Sequence, residues 1–179
     1  MQARPVEVLV SSGALAGELT DGPGAQGLVV FAHGSGSGAR SPRNRYVAQA
    51  LQREGLATLL FDLLTDSEQE KVSKRFDIEL LTERLLEAVA WAGRQQSIGA
   101  LPVGIFGAST GAAAALRAAA TLNGLVQAVV SRGGRTDLTG EAVRDVVSPT
   151  LLIVGGQDQE VLELNQRTLR ELRCEKRLA

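Results

Sequence analysis

A serine between two glycines is the residue of this chain whose surroundings best suit nucleophilic chemistry. Ser109 lies at the centre of the run Gly107-Ala108-Ser109-Thr110-Gly111, between a short apolar segment and an alanine-rich one. The G-x-S-x-G spacing at a strand-to-helix turn is typical of a nucleophile elbow, because small residues must flank a serine on so crowded a turn. The following helix directs its first amides and the positive end of its dipole towards the serine. The sequence therefore predicts Ser109 as a nucleophile, with Gly107 and Gly111 as structural residues of the elbow.

A glycine-rich loop with the sequence HGSGSG, residues 33–38, follows another apolar run. Glycine-rich backbone at the carboxyl end of a strand turns its N–H groups towards a ligand. In a serine hydrolase such a loop supplies one oxyanion-hole amide, and the residue after the nucleophile supplies the other. The sequence predicts these two donors at Ser35 and Thr110.

A dinucleotide-binding fingerprint is a second interpretation of the same loop. Gly34-x-Gly36 precedes a helix, and Asp62 ends the next strand, as such a fingerprint requires. However, the third glycine position holds Ala39, and this interpretation leaves Ser109 without a role. The fingerprint is therefore the weaker of the two interpretations.

A carboxylate after a late apolar run supplies a candidate for a third catalytic group. Asp158 ends the segment Gly155-Gly156-Gln157-Asp158, and it follows Ser109 in the chain, as the Ser…Asp…His order of α/β-hydrolases requires. A carboxylate at this place can orient an imidazole and stabilise its charged form. It can also cap the helix that begins near Glu160, and both roles are compatible.

The elements around these residues alternate between strand and helix. Runs without polar alternation are typical of strands buried on both faces of a parallel sheet. The predicted strands are Val6–Val10, Ala14–Leu19, Leu28–Ala32, Leu56–Phe61, Val103–Phe106, Val126–Val130 and Leu151–Val154. The predicted helices are Tyr46–Arg53, a stripe from Ile78 to Ala92, Ala112–Leu122 and Glu160–Leu172. This order predicts an α/β fold with a doubly wound, mostly parallel sheet, helices on both faces and an N-terminal hairpin.

The elbow at Ser109, the loop at His33 and the pair Gly156-x-Asp158, in this order, resemble the α/β-hydrolase superfamily, and most of all its small dienelactone hydrolase-like members. The resemblance covers nearly the whole chain. It implies Ser109 as nucleophile, Asp158 as acid, oxyanion amides from Thr110 and Ser35, and His33 and Gly34 as supports of the loop. Dienelactone hydrolases proper have a cysteine nucleophile where this chain has Ser109, so the substrate is not implied.

One member of the family's triad has no match. The resemblance implies a base histidine after the acid, beyond one further strand, whereas His33 is the only histidine of the chain. Residues Lys176 to Ala179 resemble the opening of that strand, so the sequence predicts one domain over residues 1–179 that lacks its last strand and helix. Two interpretations stay open: a hydrolase of small esters, thioesters or lactones whose base lies outside these residues, or a non-catalytic binding module on the same scaffold.

The composition of the chain limits the classes of partner that we expect it to bind. The 179 residues carry 19 basic and 20 acidic side chains, a balance that does not suit nucleic acid. With one cysteine and no long apolar run, we expect a cytoplasmic protein without metal or cofactor, as a monomer or homodimer acting on a small molecule. Arg40 and Arg132 follow strands near the site and are weaker candidates for substrate binding. The polar stretch Leu63 to Arg75 is predicted as an irregular segment, either a lid or a solvated loop.

Overall fold

Eight strands form one sheet in the computed structural model, which describes residues 1–179. Their order across the sheet is β1-β2-β4-β3-β5-β6-β7-β8. The strands are β1 (Gln2–Val10), β2 (Gly13–Asp21), β3 (Leu28–Ala32), β4 (Ala57–Phe61), β5 (Val103–Ala108), β6 (Val126–Arg132), β7 (Thr150–Ile153) and β8 (Lys176–Leu178). Strand β2 pairs antiparallel with both β1 and β4, and all other neighbouring strands pair in parallel. The predicted doubly wound, mostly parallel sheet is confirmed.

Helices connect the parallel strands, as right-handed crossovers require. They are α1 (Pro42–Arg53), α2 (Asp66–Gln69), α3 (Val72–Arg75), α4 (Ile78–Gly93), α5 (Thr110–Leu122) and α6 (Gln159–Glu171), with a 3-10 helix at Thr136–Asp145. Ser41 caps α1 and Pro42 occupies its first turn, the start signal visible in the sequence. No helix is long and apolar enough to cross a membrane.

Two segments differ from the sequence-based expectation. The stretch after β4 is not irregular, because Thr65 and Glu68 form a capping box that begins α2, and α3 follows at Val72. The eighth strand is not wholly missing, since Lys176–Leu178 pair in parallel with Thr150–Leu152 of β7. Three residues suffice here because each finds its ladder partners on a strand that is already in place.

The centre of the molecule is α5, which packs against β5 and α4. Seven of its thirteen residues are alanines, and nine of the thirteen residues are buried. The alanines of the buried face bring the helix backbone close to the sheet, since a methyl group is the smallest side chain after that of glycine. This close packing fixes the turn between β5 and α5, where Ser109 lies.

Candidate active site

Ser109 adopts a backbone conformation that non-glycine residues rarely take. Its φ of 52° and ψ of −122° place it between the end of β5 and the first turn of α5. Neighbouring backbone holds it there: its N–H donates to the carbonyl of Arg132 at 3.3 Å, and its carbonyl accepts from the Arg135 N–H at 3.1 Å. Strain of this kind costs of order 1–3 kcal/mol and persists only where the surroundings enforce it. The predicted turn between β5 and α5 is present and strained at Ser109, and its role as a nucleophile elbow stays a prediction.

The glycines of the elbow are required by close approach. A Cβ on Gly107 would lie 2.6 Å from Cα of Ala112, and one on Gly111 would collide with the carbonyl oxygens of Ala32 and His33. A Cβ on Gly34 would lie 2.8 Å from Cβ of Ser109. The loop after β3 therefore contacts the turn at Ser109 directly, and close approach leaves no space for a Cβ at Gly34, Gly107 or Gly111.

His33 supports the loop. Its Nε2 accepts from the Leu63 N–H at 2.9 Å, so Nδ1 carries the proton and donates to the Gly34 carbonyl at 2.9 Å. The side chain is 5% exposed, and burial lowers its pKa despite the Gly34 carbonyl and the nearby Asp62 carboxylate, which raise it. Both ring nitrogens are thus occupied in a neutral ring, and His33 has no nitrogen left to accept a proton from Ser109.

The two predicted oxyanion donors meet at one place. Thr110 begins α5, where no carbonyl of the helix can accept its N–H, so this donor is free for a ligand. The Ser35 N–H instead donates to Oγ1 of Thr110 at 3.0 Å. The threonine hydroxyl therefore joins the loop to the elbow, and an oxyanion would share or replace that acceptor at Ser35.

Asp158 lies after β7, two strands along the sheet from β5. Its carboxylate accepts from the Val161 N–H at 3.3 Å and so caps α6, and the residue is exposed. The capping role foreseen from the sequence is present. The role of Asp158 as a catalytic acid stays a prediction, since no imidazole of this chain approaches it.

The two arginines predicted as weak substrate ligands differ in their surroundings. Arg40 is exposed at the end of the glycine-rich loop. Arg132 is half-buried, with its guanidinium 5.6 Å from the ring centroid of Phe106 and one nitrogen 3.2 Å from Oδ1 of Asn44. Burial, with a smaller contribution from Arg43, lowers the pKa of Arg132. Arg132 thus has a packing role that the sequence did not indicate.

Sequence reasoning missed the wall of the site. A cavity of about 330 Å³ lies between the loop after β3 and the α2–α3 segment, with Thr110 at its floor. Gln69, Glu70 and Arg75 line it from the segment predicted as a lid or solvated loop. The capping box T-x-x-E at Thr65 and Glu68 was the available signal, because it marks an ordered helix start rather than a solvated loop.

Asp62 has a structural role that disfavours the dinucleotide interpretation. Its Oδ1 accepts from the Ala39 N–H at 2.7 Å, so the carboxylate closes the glycine-rich loop and does not face a ribose. A Cβ on Gly38 would lie 2.5 Å from the same oxygen, which explains the glycine there. The loop is therefore folded onto Ser109 and Asp62.

Curated relatives come from Mycobacterium tuberculosis. A protein of strain ATCC 25618 / H37Rv, described provisionally as a phosphoribosyl transferase, is 57% identical over 162 residues. The match covers 90% of this chain, which spans about 37% of the length of that relative. A protein of strain CDC 1551 / Oshkosh with the same description matches equally well.

Solved structures share the fold. The crystal structure of a dienelactone hydrolase from Anabaena variabilis superposes with a TM-score of 0.94 at 52% identity, covering 99% of this chain and 84% of that chain. Est1E from Butyrivibrio proteoclasticus superposes with a TM-score of 0.81 at 14% identity, covering 98% of this chain and 88% of that one, a likeness of fold alone.

A family model agrees with these structural matches. The model described as an alpha/beta hydrolase domain matches residues 25–170, which include the elbow, the glycine-rich loop and Asp158. With the strand order, the strained serine and the loop packed against it, the match leads to one conclusion: the chain belongs to the alpha/beta hydrolase family.

Proposed function

We propose that this chain carries the acyl-transfer site of a serine hydrolase acting on small esters, thioesters or lactones. The observation that carries the proposal is the strained Ser109, held at the start of α5 beside the free N–H of Thr110. A hydrophobic core needs no serine at a φ of 52°, whereas a nucleophile needs its oxygen presented beside amide donors.

The proposed reaction is an acyl transfer in two steps. Oγ of Ser109 attacks the carbonyl carbon while its proton passes to a base, and the carbonyl oxygen becomes an oxyanion at the Thr110 and Ser35 amides. The base returns the proton to the leaving alcohol or thiol as the acyl–serine ester forms. Water, deprotonated by the same base, then releases the acid and restores the Ser109 hydroxyl.

The base belongs to the proposal as a histidine outside these 179 residues. His33, the only histidine here, is buried, neutral and bonded through both nitrogens. Without a base, the serine hydroxyl keeps its high pKa and reacts slowly. Asp158, on the β7 side of the elbow, is the carboxylate proposed to orient that histidine.

The test compares the full-length gene product with its Ser109→Ala variant in hydrolysis of p-nitrophenyl acetate. We expect the variant to lose at least about 1,000-fold in kcat, because a triad acts as a unit around its nucleophile. Thr121→Ala is the control, since this exposed residue lies on the same helix far from the elbow. Full activity of Ser109→Ala would overturn the proposal.

A non-catalytic binding module on the same scaffold is the alternative. It predicts that the full-length product does not hydrolyse any ester of the classes above, and that Ser109→Ala changes nothing except stability. The strained serine argues against it, because a binding module gains nothing from this costly conformation.

A further inference from the structure

We propose that the cavity between the glycine-rich loop and the α2–α3 segment is the acyl pocket, and that it selects short, uncharged acyl groups bearing a hydroxyl. The inference rests on the proposed function and adds the substrate class. Glu70 and Arg75 are its specificity-determining residues.

The position of the cavity identifies which half of the ester enters it. The cavity lies beside the loops that follow β3 and β4, whereas Asp158 follows β7 on the other side of the nucleophile strand β5. The leaving group must receive its proton from the base that the acid orients, so it lies on the β7 side. The acyl group, on the opposite side of the carbonyl carbon, lies in the cavity.

The volume limits the size of the acyl group. A cavity of about 330 Å³ lies at the lower end of the range that holds small-molecule ligands. Leu64 and Leu81 are its only apolar lining side chains, and its other lining residues are glycine, polar or charged. A short polar acyl group fits both the size and the lining.

The charges of the lining select an uncharged group. Glu70 and Arg75 both line the cavity, and neither takes part in any of the eight ion pairs of the molecule. Nε of Arg75 donates to the Gln69 carbonyl at 2.6 Å, which orients the guanidinium and leaves its terminal nitrogens for a ligand. An anionic acyl group is attracted by Arg75 but repelled by Glu70, and a cationic group meets the reverse.

A hydroxyl group satisfies both residues at once. It accepts from the Arg75 guanidinium and donates to the Glu70 carboxylate, and its desolvation costs much less than that of a charge. The hydroxyls of Ser35 and Ser37 on the opposite wall offer further partners of the same kind. The cavity is thus complementary to a hydroxyacyl group.

The wall that carries these residues is fixed to the body of the protein. One oxygen of Glu68 accepts from the Thr65 N–H at 2.9 Å and closes the capping box of α2, while the other lies 3.5 Å from the buried Arg84 guanidinium of α4. Arg84 also pairs with Glu87 at 3.0 Å. The anchored α2 fixes the backbone from which the exposed Glu70 side chain projects, and the bond to the Gln69 carbonyl orients Arg75 beside it.

The experiment measures kcat/KM of the full-length protein for four 4-methylumbelliferyl esters of similar size: butyrate, 3-hydroxybutyrate, hemisuccinate and 4-aminobutyrate. We expect the wild type to prefer 3-hydroxybutyrate over each of the others by about tenfold, the value of one additional hydrogen bond. Glu70→Gln should raise the hemisuccinate rate relative to 3-hydroxybutyrate about tenfold, and Arg75→Gln should do the same for 4-aminobutyrate.

Two further variants keep the result interpretable. Asp66→Asn removes an exposed charge from α2, the helix that Glu70 follows. Asp66 does not line the cavity, so this variant should leave the order of the four esters unchanged. In the double variant Glu70→Gln/Arg75→Gln, the opposite preferences for charge should cancel. Equal rates for all four esters, or no change of order in either single variant, would overturn the pocket assignment.

The same selectivity is measurable without turnover. Methyl esters of the four acids are titrated onto the Ser109→Ala protein by ligand-observed NMR, and the hydroxy ester should bind about tenfold tighter than the others. If the wild-type protein does not hydrolyse the esters but Ser109→Ala binds them in this order, the proposed function alone is contradicted. Hydrolysis without this order would contradict the acyl pocket alone.

Discussion

The elbow and the loop that carries Asp158 lie at the same edge of the sheet, yet the protein constrains them very differently. The elbow is crowded by the loop after β3, by α5 and by the backbone after β6, and a Cβ on Gly111 has no space. Around Asp158 all residues from Gly155 to Glu160 are exposed, and a Cβ on Gly155 meets nothing within 4 Å. Packing thus fixes the nucleophile, whereas only a helix cap fixes the carboxylate.

The largest expected change in the free energy of unfolding is at the crowded elbow. Gly111→Ala should lower the free energy of unfolding by about 3 kcal/mol, because the added methyl must displace the carbonyls of Ala32 and His33. Gly155→Ala, the matched change on the open side, should alter it by no more than about 0.5 kcal/mol. Urea denaturation measures both, and similar values for the two variants would remove the contrast.

A second prediction concerns the glycine-rich loop that contacts the elbow, and it is the pH dependence of the free energy of unfolding. Burial lowers the pKa of His33 below its ordinary value of 6.5, so the unfolded chain binds a proton at a higher pH than the folded one. Stability is therefore complete above pH 6.5 and falls as the pH drops below it, by up to about 1.4 kcal/mol per pH unit until the folded pKa is reached.

The variant His33→Ala separates this effect from others. It should cost about 2–3 kcal/mol at pH 8, since the Leu63 N–H loses its acceptor, and its stability should be flat between pH 6.5 and 5. The carboxyls with lowered pKa, such as Asp21 and Glu87, act at more acidic pH. A slope in this window that persists in the variant would contradict the assignment to His33.

On the open side we expect only a small effect on the free energy of unfolding. Asp158→Ala should cost about 1 kcal/mol, the value of a helix cap, and Asp158→Asn almost nothing, because asparagine caps equally well. In the full-length protein, Asp158→Asn should nevertheless lower kcat about 1,000-fold or more if the carboxylate orients the base. Thermal unfolding and ester hydrolysis on the same samples measure the two effects, and an active Asp158→Asn enzyme would exclude Asp158 as the acid.

Most of the fold followed from the sequence because the strands of the parallel sheet are short, uninterrupted apolar runs. The elbow was equally visible, since the G-x-S-x-G spacing is a steric requirement that the clashes at Gly107 and Gly111 reproduce. Local chemistry of this kind is written in consecutive residues and needs no knowledge of the tertiary structure.

Features that depend on distant residues were not visible. The engagement of the Ser35 N–H by the Thr110 hydroxyl joins positions 75 residues apart, and no local pattern encodes it. The wall of the cavity was underestimated because its two helices have four residues each, and the first of them is held by Arg84 of α4, outside the local pattern. Arg132 was considered as a ligand although it packs on Phe106, a contact that depends on the register of β5 and β6.

The alanine-rich helix α5 limits where substitutions can change the site. An alanine side chain has no rotamers, so the helix behind Ser109 cannot adjust to a new ligand, and most enlargements of its buried positions meet close-packed backbone. If the proposed function holds, a change of substrate preference is therefore easier at the α2–α3 wall, where side chains such as Glu70 are exposed, than in α5.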